Sequence, residues 1–178
     1  WGMVTRNVAR LVSPPHVPRA NVNPLAPAEV KRFLESVRGD RLEALYTVAL
    51  AVGLRQAEAL GLRWRDVNLE TGTLSVRVTL QRTDGRYELV QPKTEHSRRT
   101  IKLPDVCIVA LRSHQERQVS ERILVGPAWV DWGLVFTTED GIPLSRMSVT
   151  RRFQRILANA GVTKHRFQDL RHTCATFL

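Results

Sequence analysis

The chain has 178 residues, of which 43% are hydrophobic and 25% are charged; this composition is ordinary for one globular domain with a sizeable core. Its charge balance is unusual, because 27 lysines and arginines against 17 acidic residues give a formal net charge of +10. That excess favours a polyanionic partner such as nucleic acid, and the lack of an 18-residue apolar stretch argues against a membrane protein.

The first 22 residues differ in composition from the rest. Residues 3–12 have the pattern of a helix end, and residues 13–18 contain three prolines, which favour a stiff, extended linker. We therefore expect residues 1–22 to be the end of a preceding domain plus a linker, and residues 23–178 to form the main domain.

Helical patterns dominate the main domain. Val30, Phe33, Leu34 and Val37 repeat at helical spacing, and further apolar stripes predict helices that end at Gly53 and near residue 62. Three more helices are predicted at residues 104–123, at residues 146–160 after an N-cap at Ser145, and from Gln168 onwards.

Strand patterns lie between these helices. Apolar residues alternate from Leu74 to Leu80, which predicts one half-buried strand, and Asp84-Gly85 is a hairpin signal before residues 87–90. With residues 99–103 these strands form a three-stranded antiparallel sheet, and residues 134–136 are predicted as a short separate strand. The expected fold class is α+β and mostly helical.

Two arginine-bearing segments carry the candidate chemistry. Arg55 and Glu58 are three residues apart on one helix face, and Arg171 lies in a segment rich in cations. Lys93 lies between two predicted strands. Each feature alone also fits a simple structural role, as a surface ion pair, a solvated basic face or an exposed lysine at a sheet edge. Together, the three cations would form a clamp for one phosphate.

Other sites have less support. Cys107 and Cys174 have neither a CxxC partner nor the spacing of metal ligands, and the five histidines are scattered. We therefore expect reduced core cysteines in a cytoplasmic protein, with no metal and no cofactor.

Three segments together resemble the tyrosine recombinase family, in particular the integrases of actinobacterial phages and mobile elements. They are residues 51–67 (AVGLRQAEALGLRWRDV), residues 91–103 (QPKTEHSRRTIKL) and residues 166–178 (RFQDLRHTCATFL), in the family's order. The resemblance implies the catalytic domain of a phage-type integrase, which performs site-specific DNA recombination through a 3′-phosphotyrosine without metal or ATP. It also implies duplex DNA, other protomers in a tetrameric synapse and a DNA-bending accessory protein as partners.

The resemblance implies roles for the matching residues. Arg55 and Arg171 correspond to the two arginines that hold the scissile phosphate, and Lys93 to the general acid that protonates the leaving 5′-oxygen. Glu58 would brace the first arginine, and His172 would support the second. Planar guanidinium groups suit this task because each can donate to two phosphate oxygens.

The chain departs from the family pattern in two ways. Gln168 occupies the usual histidine position of the second segment, and a carboxamide cannot carry a proton near neutral pH. The family's nucleophilic tyrosine lies beyond the second arginine, whereas the two tyrosines here, Tyr46 and Tyr87, fall elsewhere. We therefore expect a C-terminally truncated catalytic domain that does not cleave DNA unaided.

Two alternative functions remain open on the sequence. The chain could be a non-catalytic, DNA-binding remnant of a prophage integrase, an interpretation that Gln168 favours. It could also be a relative of the type IB topoisomerases, which share the phosphate chemistry, although the residues around Arg55 and Arg171 resemble those of integrases more closely.

Overall fold

The computed structural model describes residue 12 and the ranges 23–91 and 98–177. The predicted linker at residues 13–18, the predicted helix end before residue 12 and the candidate residue Lys93 lie outside this description. The helices are α1 (Pro27–Val37), α2 (Glu43–Val52), α3 (Gln56–Leu60), α4 (Asp105–Val125), α5 (Arg146–Asn159) and α6 (Phe167–Phe177). The strands are β1 (Val67–Asn68), β2 (Thr73–Val76), β3 (Thr79–Thr83), β4 (Arg86–Val90) and β5 (Arg99–Lys102).

The predicted helices are present, with ends shifted by a few residues. Phe33 and Val37 of the α1 stripe are buried. Gly53 ends α2 with a φ of 64°, in the left-handed region that favours glycine. Ser145 caps α5 as predicted, because its hydroxyl accepts a hydrogen bond from the backbone N–H of Ser148 at 3.0 Å. The mostly helical α+β fold is thus confirmed.

The prediction of one strand from Leu74 to Leu80 was wrong in its pairing. The strand is broken at Arg77-Val78, so that β2 pairs with β1 and β5, whereas β3 pairs with β4 in a separate two-stranded sheet. A three-stranded antiparallel sheet exists, but its members are β1, β2 and β5. Leu74, Val76 and Leu80 are all buried, as the alternation predicts. Alternation shows which face of a strand meets the core, but it does not show which strand pairs with it.

The short strand expected at residues 134–136 is not a regular strand. Leu134 forms an isolated bridge with Arg63, and Thr137 forms another with Pro143. Leu134, Val135 and Phe136 are buried, which explains the apolar run. The backbone N–H of Val135 donates to the carbonyl of Leu62 at 2.8 Å, so these residues join two loops inside the core.

An aromatic cluster positions the last helix. Phe167, at the start of α6, lies with its ring centroid 5.7 Å from Phe153 of α5 and 6.3 Å from Tyr46 of α2. The hydroxyl of Thr173 also accepts a hydrogen bond from the buried backbone N–H of Leu25 at 2.9 Å. These contacts hold α6 against α2, α5 and the segment before α1. Arg171 lies on α6, and Arg55 lies just beyond the end of α2.

Both cysteines are buried and unpaired. Burial raises the pKa of the Cys107 thiol to about 12, which keeps the group protonated and unreactive at neutral pH. Among the described helices, none is both long enough and apolar enough to cross a membrane.

Candidate active site

Arg55 lies immediately before α3, in extended conformation. Its backbone N–H donates to Oε2 of Glu58 at 2.9 Å, and its Nη1 donates to Oε1 of the same carboxylate at 2.8 Å. Half of the Arg55 side chain nevertheless remains exposed, whereas the Glu58 side chain is almost completely buried. The expected pairing of Arg55 with Glu58 therefore occurs, and it leaves part of the guanidinium open to solvent.

Arg99, at the start of β5, is a member of this cluster that the sequence analysis missed. Its Nη2 donates to Oε2 of Glu58 at 2.9 Å, and its Nη1 lies 3.3 Å from Oε1. One signal was available, since Arg99 and Ile101 share the more buried face of β5. An arginine on the inward face of a strand requires a buried partner, but the sequence does not identify that partner.

Glu58 is ionised despite its burial. Burial alone raises the pKa of this carboxyl, but hydrogen bonds from Arg99 and from the backbone and side chain of Arg55 outweigh burial and hold the pKa below its ordinary value of 4.5. The result is a buried carboxylate that accepts hydrogen bonds from two guanidinium groups.

Arg171 approaches this cluster from α6. Its Nη1 donates to the carbonyl of Gly53 at 2.5 Å. A Cβ at Gly53 would lie 3.4 Å from the Sγ of Cys174 and 3.6 Å from Cγ of Arg171, so α6 packs directly against the turn that leads to Arg55. The two arginines predicted from distant segments are therefore brought together.

The pKa of Arg171 is lowered by its surroundings. Burial, followed by the positive charges of Arg55 and Arg99, lowers the pKa of the Arg171 guanidinium from its ordinary value of 12.5. An arginine remains protonated at neutral pH even so. The three guanidinium groups and the single carboxylate of Glu58 give this cluster a net excess of two positive charges.

An open cleft of about 800 Å³ lies beside the cluster. Arg55 and Gln168 both line it, so the residue at the family's histidine position faces the same space as the first arginine. The other cations in its lining are Arg146, Lys164 and Arg166. Arg166 is held by Asp169, whose carboxylate accepts from its side chain at 2.9 Å and from its backbone N–H at 2.7 Å.

The remaining predicted residues are placed as follows. His172 is half-buried on α6, next to Arg171 in the chain. His165, whose position is out of register with the family histidine, is buried, and its Nδ1 lies 3.1 Å from the carbonyl oxygen of Asn23. Tyr46 is buried in the aromatic cluster, and Tyr87 lies on β4 beneath the guanidinium of Arg82. Neither tyrosine is among the residues that line the cleft, although Tyr46 packs against Phe167, which does line it.

The domain is thus mostly helical, and Arg55, which belongs to a group of three neighbouring arginines, lines its open cleft. The model of the phage integrase family matches residues 23–178. The chain therefore belongs to the phage integrase family.

Individual relatives agree with this assignment. A XerC-like tyrosine recombinase of Caldanaerobacter subterraneus is 36% identical over 84% of this chain and 41% of its own length. An integrase of Streptomyces ambofaciens is 33% identical over 98% of this chain and 47% of its own length. The integrase of the Tn1549 transposon, solved in complex with transposon right end DNA, has the same fold, with a TM-score of 0.74 at 21% identity over 98% of this chain and 57% of that one. The chain thus spans about half the length of the curated relatives it matches.

Proposed function

We propose that this chain is the phosphate-binding part of a site-specific DNA recombinase. It binds duplex DNA mainly through phosphates, and Arg55 and Arg171 hold the scissile phosphate. The intact enzyme breaks one strand through a 3′-phosphotyrosine and rejoins it to another. The observation that carries this proposal is that Arg55 and Arg99 share one buried carboxylate while Arg171 bonds to the turn that leads to Arg55, and that Arg55 lines an open cleft.

The charge of this cluster suits phosphoryl transfer. A phosphodiester carries one negative charge, and a second develops as the phosphorus becomes pentacoordinate. A site with an excess of two positive charges binds the later state more strongly than the first, which is the condition for lowering the barrier. Because Glu58 holds the guanidinium of Arg55 before DNA arrives, little reorganisation is needed during the reaction.

Proton transfer is assigned to other residues in this proposal. Lys93 protonates the leaving 5′-oxygen, and Gln168 donates a hydrogen bond to a phosphate oxygen without carrying a proton. The proposal assigns the attacking role neither to Tyr46, which is buried in the core, nor to Tyr87, which lies on the hairpin. A tetrameric synapse with other protomers and a DNA-bending accessory protein belong to the same proposal.

Gln168 favours a second candidate function. It is half-buried and lines the cleft where the family usually has histidine. A chain with a working phosphate clamp but impaired proton transfer would occupy DNA sites without recombining them. The non-catalytic, DNA-binding remnant of a prophage integrase is therefore kept as the alternative.

A covalent-adduct assay separates these two functions. The chain is tested as it stands and with a family-type, tyrosine-bearing C-terminal segment appended, on a nicked duplex that traps the protein–DNA intermediate. An adduct in the extended form alone supports the recombinase. No adduct in either form, with DNA binding retained, supports the non-catalytic alternative.

The phosphate clamp itself is tested by binding to duplex DNA at several salt concentrations. Arg171→Ala should weaken binding and reduce the slope of log K against log salt by about 0.9, the share of one phosphate contact. Lys93→Ala should leave the affinity nearly unchanged, because a general acid acts on the leaving group during the reaction. If both variants bind as the parent chain does, Arg171 does not hold a phosphate.

A further inference from the structure

We infer that Arg99 is a positioning residue, which orients the guanidinium of Arg55 towards the cleft by holding both carboxylate oxygens of Glu58. The orientation itself follows from the hydrogen bonds of the cluster. Its consequence for DNA rests on the proposed function, because it is there that Arg55 becomes a phosphate ligand.

The carboxylate of Glu58 is shared between the two arginines. Oε2 accepts from the backbone N–H of Arg55 and from Nη2 of Arg99, each at 2.9 Å. Oε1 accepts from Nη1 of Arg55 at 2.8 Å, with Nη1 of Arg99 at 3.3 Å. Arg99 thus contacts both oxygens end-on, through Nη1 and Nη2, in a bidentate geometry of the kind that arginine favours with carboxylates, while the side chain of Arg55 contacts one.

A positioning role requires Arg99 to be more buried than the Arg55 side chain that it orients, and this is the case. The side chain of Arg99 is 26% exposed, against 50% for Arg55. Arg99 therefore faces mainly inwards, to the carboxylate, and Arg55 keeps much of its guanidinium available to the cleft that it lines.

Loss of Arg99 would change what Glu58 does. A buried carboxylate with one charged partner left is poorly compensated, so it would either take up a proton or draw the guanidinium of Arg55 onto both of its oxygens. Either change moves Arg55 from the orientation that it has here. Arg99 also begins β5, whose pairing with β2 fixes its backbone through the contact of Arg99 with Val76.

Direct contact of Arg99 with a phosphate is the alternative role, and the experiment distinguishes it from positioning. Arg99 lies close enough to Arg171 for its charge to affect that residue, so it could contact a phosphate directly. A direct contact would add to the contribution of Arg55, whereas a positioning residue acts only through Arg55.

The experiment combines Arg99→Gln, Arg55→Gln and the double variant in the intact chain. For each, the slope of log K against log salt is measured on duplex DNA, and the side-chain N–H signals of Arg55 are followed by ¹⁵N NMR without DNA. Arg112→Gln is the matched control, because it removes one positive charge from an exposed arginine whose partner, Glu70, is also exposed. Arg99→Lys keeps the charge but loses the bidentate grip, and it replaces Arg99→Gln if that variant fails to fold.

Arg99→Gln should alter the Arg55 signals and reduce the salt slope by about 0.9, as Arg55→Gln does, and the double variant should lose no more than either single variant. Arg99→Lys should produce the same changes in part, and Arg112→Gln should leave the Arg55 signals unchanged. Additive losses in the double variant, or unchanged Arg55 signals in Arg99→Gln, would overturn the inference. If the parent chain does not bind DNA at all, the proposed function fails, and the NMR signals alone decide the role of Arg99.

Discussion

At the scale of single residues, the site depends on one carboxylate. Glu58 is buried between two guanidinium groups, and isolated surface ion pairs of this type would contribute little to stability. Because Glu58 is buried, its ion pairs matter more for stability: removing either arginine leaves the carboxylate charge poorly compensated in a poorly solvated position. The pairing of Arg55 with Glu58 that the sequence predicts, three residues apart, is therefore incomplete without Arg99.

The sequence identified part of this site. Arg55, Glu58 and Arg171 were found because they lie in segments that resemble a known family, and the structure brings them together. Arg99 was missed because its importance depends on the approach of β5 to α3, which leaves no local pattern beyond an arginine on an inward strand face. Lys93 lies outside the described residues, and the roles of all the site residues, Arg55 and Arg171 included, stay predictions.

Gln168 is the residue whose replacement tests the chemistry most directly. In the chain extended by a tyrosine-bearing segment, Gln168→His should speed adduct formation by about 10²-fold or more, the usual contribution of a general acid or base. The rate should also gain a dependence on pH, rising as pH increases through about 6.5 if the neutral imidazole accepts the tyrosine proton. The initial rate of adduct formation between pH 5 and 8 measures both effects.

The control for this change is Gln168→Asn, which keeps a carboxamide and introduces no titrating group. It should show no new pH dependence. An equal rate and an identical pH profile in Gln168→His and the parent chain would mean that this position takes no part in proton transfer.

At the scale of secondary structure, helices were predicted better than strands. Helical stripes such as that of α1 specify a face that must be buried, and helix hydrogen bonds are local. Strand pairing is not local. The run from Leu74 to Leu80 is divided between two sheets. Its first part, β2, pairs with β5, a strand of the same length. Its last part belongs to β3, which pairs with β4 through a tight turn at Asp84-Gly85, where both residues have positive φ.

The contact between α3 and β3 gives a prediction at this scale. Gly61 ends α3 with an ordinary backbone conformation (φ −90°, ψ 0°), so the position does not need glycine for its dihedral angles. A Cβ there would lie 2.6 Å from the backbone nitrogen of Leu80 and 2.8 Å from the carbonyl carbon of Thr79. Gly61→Ala should therefore push α3 from β3 and lower the free energy of unfolding by about 2 to 3 kcal/mol, measured by urea denaturation.

Gly161→Ala is the control for backbone strain, since Gly161 has a φ of +61° and open space around its Cα. That change should cost about 1 kcal/mol, because an alanine is strained in the left-handed region. If Gly61→Ala costs no more than Gly161→Ala, the close approach of α3 to β3 does not limit the fold.

At the scale of the whole molecule, ion pairs join elements that are distant in sequence. Arg41, between α1 and α2, donates to both oxygens of Glu121 on α4, each at 2.6 Å, and also to the carbonyl of Thr137 at 2.6 Å. Arg152 of α5 donates hydrogen bonds to both carboxylate oxygens of Asp40. In a chain with a net charge of +10, each such carboxylate offsets part of the repulsion among the cations.

Stability should therefore fall with acid in two stages. Burial lowers the pKa of His114 below its ordinary value of 6.5, so the unfolded chain takes up this proton first and stability decreases as pH falls below about 6.5. Glu58 and Asp169 have pKa values held below their ordinary 4.5 and 3.8. Their contribution is present above these values and is lost as pH falls through the lower pKa values of the folded state.

Substitutions should separate the two stages in urea unfolding measured from pH 8 to pH 3. His114 has Nε2 at 2.8 Å from the carbonyl oxygen of Val135, and His114→Gln keeps a donor there without a titrating group, so it should flatten the profile between pH 6.5 and 5. Glu58→Gln should leave that upper region sloping and flatten part of the lower one. A parent profile that is level from pH 7 to 5 would show that His114 is protonated as readily in the folded protein as in the unfolded chain, and that its burial does not destabilise the charged form.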